Sequence, residues 1–466
     1  MKTGIHNGVK GLVIAAVAVM ACATSVSAYT SESEQIQGKQ VNYVTFHPTE
    51  RLELKPVIAS GGVGSVDPLY RMAQDHDAVA AINGTFFNSY DESDLHPMGA
   101  VVDTRAPLHM RGGPTSVGMV ADGSLDFFPT GEVSITGSIN GSWEWPNNWY
   151  AWFVNHQPSS DQEIVIFTPD YRSDTVEAAG FTFVTVTRGT VTAITRNRAA
   201  IPALGYVIAF GPEGNDEQIA KFKVGDDVAY RTNVPAAHEA VKHILSAGPK
   251  LVTDGQVDVD FERENIRDPN LTTIASSRSF IGEKADGTIV FGTVNRATIR
   301  ELADVLRELG VVEGMNLDGG ASTGLYYRGN YLTQPGRQLS NALVLVPEPR
   351  TPRIRVNDRE VFFPDANPYI ENGTTMIPVR GVLEQLGAVV TYDDATREVR
   401  AVEGDVEVVL PVGSDEGSIN GEAHVLINPP VNLDGRVHIP IRFVSEAFGA
   451  EVGWDYDQYL VTIDTK

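Results

Sequence analysis

Between Thr298 and Leu309 the apolar residues Ile299, Leu302, Leu306 and Leu309 fall three or four positions apart, and Gly310 follows. That spacing predicts a helix with one buried face, stopped by a residue that tolerates the left-handed conformation. Elsewhere the apolar residues come in short unbroken runs: Val57-Ile58-Ala59, Ala78–Ile82, Ile164–Phe167, Tyr206–Phe210 and Thr288–Phe291. Runs of this length, rich in β-branched and aromatic side chains, predict strands with little solvent contact. Strands and helices therefore mix, and the expected class is α+β with mixed sheets.

The predicted helix runs straight into Met315-Asn316-Leu317-Asp318-Gly319-Gly320-Ala321-Ser322-Thr323, a strand pattern that ends in a carboxylate and two glycines. This places Asp318 at a strand tip beside backbone that a ligand can approach closely. Gly320-Ala321-Ser322-Thr323-Gly324 also spells the nucleophile elbow of esterases, which must lead from a strand into a helix. Here Leu325-Tyr326-Tyr327-Arg328-Gly329-Asn330-Tyr331-Leu332 follows, aromatic and broken by turn residues, and predicts a hairpin instead.

At 466 residues the chain exceeds one ordinary core. Pro347-Glu348-Pro349-Arg350-Thr351-Pro352, with three prolines in six residues, cannot join a helix or a central strand and predicts a linker over 347–352. Beyond it a pattern recurs. Gly373-Thr374-Thr375-Met376-Ile377-Pro378-Val379-Arg380 returns as Gly435-Arg436-Val437-His438-Ile439-Pro440-Ile441-Arg442, and at the same offset Gly387-Ala388 matches Gly449-Ala450. Each copy predicts a strand, an amphipathic helix, a glycine stop and a further strand, so residues 353–466 form a small α+β module built from two repeats.

Residues 1–28 carry Lys2 and Lys10, an apolar stretch from Gly11 to Ala21 and the small-residue sequence Val26-Ser27-Ala28. This is the pattern of a signal peptide cleaved near Ala28, so the mature chain is expected at the cell surface or secreted, with no membrane span. Val19-Met20-Ala21-Cys22 keeps open a second reading, lipid anchoring through Cys22. Cleavage after Ala28 removes the single cysteine, which excludes disulfides and thiolate chemistry. The formal net charge of −24 argues against nucleic acid as a partner, although a local arginine can still hold an anionic substrate.

Five segments taken in order, Ala81-Ile82-Asn83-Gly84-Thr85-Phe86-Phe87-Asn88, Ser246–Gly255, Ser277-Arg278-Ser279-Phe280-Ile281-Gly282, the strand bearing Asp318, and Leu339-Ser340-Asn341-Ala342-Leu343, make residues 29–346 resemble the phosphodiester glycosidase family. Thr85 and Ala321 stand where that family commonly has glycine. The C-terminal module resembles the copper amine oxidase N-terminal-like (stalk) domain. His424 and His438 are its only histidines and have no ligand spacing, so the resemblance implies attachment to the cell wall or a spacer role rather than copper binding.

The first resemblance implies hydrolysis of a sugar-1-phosphate diester, with a cell-envelope polysaccharide or other phosphoglycan as substrate partner. The leaving phosphate monoester is already a stable anion, so a strong general acid is less needed than in ordinary glycoside hydrolysis. A carboxylate to activate water or stabilise the anomeric centre and a cation for the phosphate remain necessary. Asp318 is the candidate carboxylate, and Arg278, whose guanidinium fork matches two phosphate oxygens, is the candidate cation, with a structural ion pair as its rival. Asn83, Gly84, Asn316, Gly319, Gly320, Ser322 and Asn341 are the candidate substrate-binding set. Asp254 reads as a hairpin-turn residue. His96 and His109, with Arg105 and Arg111, can add positive potential near the pocket, the alternative for the histidines being the structural role that lone histidines usually have. No spacing of ligands marks a metal site and no cofactor is expected. A different class stays open: a non-catalytic glycan-binding surface protein in which Trp143, Trp145, Trp149 and Trp152 stack on sugar rings, the alternative for that cluster being core packing.

Overall fold

The computed structural model describes residues 29–48, 52–90, 95–347, 351–363, 366–371, 373–433, 435–455 and 459–465. The signal peptide expected over 1–28, with Cys22 and Ala28, and residues 348–350 of the proline-rich segment lie outside them. Contacts divide the chain into two units, the first ending at Pro347. Both are built mainly from strands, with short helices between them, an α+β architecture.

Within the first unit two sheets matter for the site. One has seven strands in the order Tyr29–Ile36, Lys39–Phe46, Ile289–Ala297, Ser276–Lys284, Val311–Asn316, Lys250–Thr253 and Gln256–Val257, every neighbouring pair antiparallel. The other has five, in the order Asn330–Thr333, Leu325–Tyr327, Ala80–Asn83, Asn341–Pro347 and Leu52–Ile58, also antiparallel throughout. Parallel pairing enters elsewhere in the unit, between Phe153–Val154 and Ile164–Phe167. Ile281, Phe291 and Met315 from the first sheet, with Leu317 just beyond it, share one core with Ile82, Leu325, Leu343 and Leu345 from the second. Burying such side chains stabilises each by roughly 1.5–3 kcal/mol, which fixes the two sheets face to face.

The helix predicted from the apolar spacing spans Ile299–Glu308, starting at Thr298 in a capping box with Glu301. Its buried face, Ile299, Leu302, Val305 and Leu306, covers Leu251, Phe280 and Val311 of the seven-stranded sheet. Gly310, with φ of +81°, takes the left-handed conformation just past the helix and turns the chain into Val311–Asn316. The helix thus sets where that strand begins, and by its length where Asp318 ends up.

In the second unit Thr374–Pro378 pairs antiparallel with Arg436–Pro440, and each strand leads into a helix, Val379–Leu383 or Ile441–Ala447. Val382, Leu383, Ile441 and Val444 meet Ile377, Ile439, Val461 and Ile463 in one core. Arg353–Val356 lies inside another of this unit's sheets, antiparallel to Arg359–Val361 and parallel to Leu460–Asp464.

Candidate active site

Residues 317–324 carry the chain from the seven-stranded sheet to the five-stranded one, and Asp318 lies in this crossing. Backbone bonds hold it there: Leu317 N donates to Ser279 O at 2.9 Å and Asp318 N to Gly84 O at 3.0 Å. Asn83 braces the same place from the end of Ala80–Asn83. Its Nδ2 donates to Asp318 O at 2.6 Å, and its Oδ1 accepts from Ser279 Oγ at 2.6 Å and from Gly324 N at 3.0 Å. Two stretches of chain far from Asn83 in sequence, at Ser279 and over 318–324, are therefore tied to its one amide side chain.

The Asp318 carboxyl accepts a hydrogen bond from Gly319 N at 2.8 Å and another from the Ser322 hydroxyl. Part of the residue reaches solvent, while protein packs densely around the rest. That burial pushes its pKa up to about 6, against the opposing pull of its two hydrogen bonds and of the Arg337 and Arg278 charges. A carboxylate so placed is charged at neutral pH and can take a proton readily.

Arg278 does not present its fork to the site. Its Nε donates to Ala297 O at 2.9 Å and its Nη2 to Asn270 O at 2.7 Å and to Ile274 O at 2.5 Å, and only 2% of the residue is exposed. Burial lowers its pKa, and Asp268 and Asp318 act in the other direction. The side chain is an anchor that lends charge to Asp318, and this corrects the expectation of a phosphate clamp. Gly319 lies against it: a side chain there would meet Ser277 O at 2.9 Å and Arg278 Nη1 at 3.7 Å.

The asparagines are corrected in the same sense. Asn83, Asn316 and Asn341 are buried, and their amide nitrogens donate to protein groups rather than to open space. Asn341 Oδ1 accepts from Thr85 N at 2.7 Å, while its Nδ2 donates to Thr85 O at 3.2 Å and Ser340 Oγ at 2.9 Å. Asn316 Nδ2 donates to Gly248 O at 2.8 Å, while its buried Oδ1 has no hydrogen-bond partner among the described residues. Gly84 is buried beneath Asn341, whereas Gly320 is exposed with φ of +63° and leaves the approach to Asp318 bare. Ser322 is buried and spent on Asp318, and its segment forms a short 3-10 turn leading into the hairpin of Leu325–Tyr327 and Asn330–Thr333, not a helix. The esterase elbow is absent.

One cation escaped the sequence reading. Arg337 is half-buried, its charge acts on Asp318, and its Nη1 donates to Ser89 Oγ. The loop that carries it rests on the Asp318 segment, with Gly336 N donating to Ala321 O at 2.8 Å. Its signal was the Pro335-Gly336 turn just before Leu339-Ser340-Asn341.

Asp254 sits with Gly255 in the tight turn between Lys250–Thr253 and Gln256–Val257, both residues at positive φ, the hairpin role expected for it. Trp149 is 1% exposed, donates to Ser138 O and packs in a core cluster, so it offers no face to a sugar ring; Trp145 and Trp152 remain exposed. His109 is fully buried and burial pushes its pKa well below the ordinary histidine value, so it is neutral and adds no positive potential. Of the two departures from the family pattern, Ala321 is exposed, while Thr85 is buried with its Oγ1 lacking a hydrogen-bond partner among the described residues.

Comparison with known proteins bears on both units. The phosphodiester glycosidase family model matches residues 179–346, a span that includes Arg278, Asp318, Arg337 and Asn341 but not Asn83. The copper amine oxidase N-terminal domain model matches residues 355–463. Among solved structures, a hypothetical protein from Synechocystis is 25% identical with a TM-score of 0.57, over 68% of this chain and 61% of that one. A protein from Burkholderia pseudomallei described as exported is 18% identical with a TM-score of 0.54, over 66% of this chain and 74% of that one, and shows the fold alone. The catalytic domain of zebrafish N-acetylglucosamine-1-phosphodiester α-N-acetylglucosaminidase is 12% identical over 68% of this chain and 82% of that one, but at a TM-score of 0.36 it carries no argument. No curated protein matches the sequence significantly. The two resemblances read from the sequence are thus each met by a family model, a phosphodiester glycosidase domain in the first unit and a copper amine oxidase N-terminal domain in the second.

Proposed function

We propose that the first unit hydrolyses a glycosyl phosphodiester by breaking the bond between the anomeric carbon and the phosphate oxygen, and that the substrate is a phosphoglycan of the cell envelope. The observation that carries this reading is the Asp318 carboxyl, raised to about 6 at a bare turn between two sheets with Arg337 and Arg278 acting on it. Water attacks the anomeric carbon, the bonding pair leaves with the phosphate monoester, and Asp318 takes the proton from water or stabilises the charge developing at the sugar. Arg337 replaces Arg278 as the proposed phosphate ligand, because part of its surface is open. Asn83, Asn341 and Arg278 act as positioning residues. Export and attachment through the second unit are part of the same proposal; among the described residues no helix is long and apolar enough to cross a membrane.

Hydrolysis in ¹⁸O-labelled water tests the bond that breaks. With a defined sugar-1-phosphate diester, mass spectrometry is expected to find the label in the released sugar. Label in the phosphate would mean attack at phosphorus and would refute the glycosidase reading. The pH profile gives a second readout. Protonating Asp318 removes the reacting group, so kcat/KM should be high at neutral pH and fall as pH drops through about 6.

A further inference from the structure

Three histidines outside the Asp318 site converge although the chain places them far apart. His109 ends the strand Ala106–His109, and an antiparallel bridge between Met110 and Val154 brings it alongside His156. Asn155, held at positive φ, fixes that turn: its Nδ2 donates to Leu108 O and Thr168 Oγ1, both at 2.8 Å. His96 arrives from the segment after Asn88, through the bridge between Phe87 and Pro97. The three residues are 4%, 0% and 2% exposed for His96, His109 and His156, and one ring nitrogen of each lies within 4.8 Å of the others.

The His109 ring is already oriented as a ligand. Its Nδ1 lies 2.8 Å from Gly99 O, a group that only accepts, so Nδ1 carries the proton and the Nε2 lone pair is left. That Nε2 is buried with no hydrogen-bond partner among the described residues. A backbone carbonyl on one ring nitrogen and a free lone pair on the other is the arrangement that metal-bound histidines use.

We propose that His96, His109 and His156 bind one divalent transition-metal ion of the zinc class. Imidazole nitrogens suit such ions and select against calcium and magnesium, which take oxygen ligands. Three nitrogens about 2.0–2.1 Å from zinc stand roughly 3.3 Å apart in tetrahedral geometry. The observed spread therefore needs only small ring movements.

Arg111 sets the terms of binding. Its Nη1 lies 3.1 Å from His96 Nε2, and a guanidinium only donates, so it uses the lone pair that the ion would need. Arg111 is half-buried and can withdraw toward solvent. The ion and the guanidinium therefore compete for His96.

The full chain, stripped with a chelator and dialysed, is titrated with cobalt(II), read by its visible absorption, and with zinc, read by competition with a chromophoric chelator. One equivalent is expected, together with a rise in Tm on adding zinc. His109→Ala and His156→Gln should each weaken zinc binding by more than about 100-fold and abolish the Tm rise. Arg111→Met leaves all three ligands in place and should tighten binding severalfold. Failure of the stripped protein to bind either ion overturns the proposal, as does unchanged affinity in a folded His109→Ala chain. Should the histidine variants not fold, weaker zinc binding by Arg111→Met overturns it instead. None of these readouts depends on glycosidase activity.

Discussion

Asp318→Asn is expected to lower kcat on a glycosyl phosphodiester by about 10²–10⁴-fold, the range spanned by removal of a positioned acid–base group. The chain should stay folded, because an amide keeps the shape of the carboxyl and its oxygen can still accept from Gly319 N. Stability should in fact rise at neutral pH. A carboxyl whose pKa is raised to about 6 on folding binds its proton more tightly in the folded state than in the unfolded one. Folding stability then falls as pH rises from about 4 to about 6, and above that window the full cost of the charge is present. Asparagine never charges, so the variant gains about 1–2 kcal/mol at pH 7 once the solvent-facing part of the residue is allowed for, and the gain vanishes near pH 4. Thermal melts of both proteins at several pH values, run beside the activity assay, check this. Near wild-type turnover in Asp318→Asn would remove the residue from the mechanism, and a lower Tm at pH 7 would mean that its carboxylate is a structural ligand.

The second large effect is expected at Gly84, and there the fold itself should suffer. A methyl group on Gly84 would lie 2.1 Å from Asn341 Oδ1 and 3.4 Å from Ala342 Cα. The amide cannot swing aside cheaply, because Oδ1 accepts from Thr85 N and Nδ2 donates to Thr85 O and Ser340 Oγ. Moving it strands buried polar groups at about 1–3 kcal/mol, and overpacking adds about as much. Gly84→Ala should therefore cost roughly 3–5 kcal/mol, lower Tm by about 5–15 °C and abolish turnover, since Gly84 O also accepts from Asp318 N. Calorimetry and the diester assay measure the two losses. A variant that melts like wild type would show that the Asn341 amide is free to rearrange.

Much of the local structure could be read along the chain because its causes are local. Thr298, Glu301 and Gly310 bound the helix by capping chemistry that needs no tertiary partner, and the runs Ile164–Phe167 and Tyr206–Phe210 are the strands that their apolar side chains predict, the second beginning one residue earlier at Gly205. The Asp318 turn was legible for the same reason, a carboxylate followed by glycines after an apolar run. The role of Arg278 was not, because the carbonyls that occupy it belong to Asn270, Ile274 and Ala297, brought together only by the fold. Trp149 and Trp152 look alike in sequence, yet three residues of separation put one in the core and the other in solvent. The histidine cluster had no signal at all, since its members stand 13 and 47 residues apart and meet through isolated bridges. Asn83 and Asn341 showed where the site lies without showing that they build it.

The crossing at residues 317–324 makes Asp318 a gauge of how the two sheets are stacked. A shear of one layer past the other too small to melt any strand would still pull Gly84 and Ser279 in different directions and displace the turn they hold between them. Substitutions remote from the reacting groups, in the hydrophobic seam shared by Ile82, Met315 and Leu343, can thus silence chemistry in a chain that otherwise keeps its native spectrum.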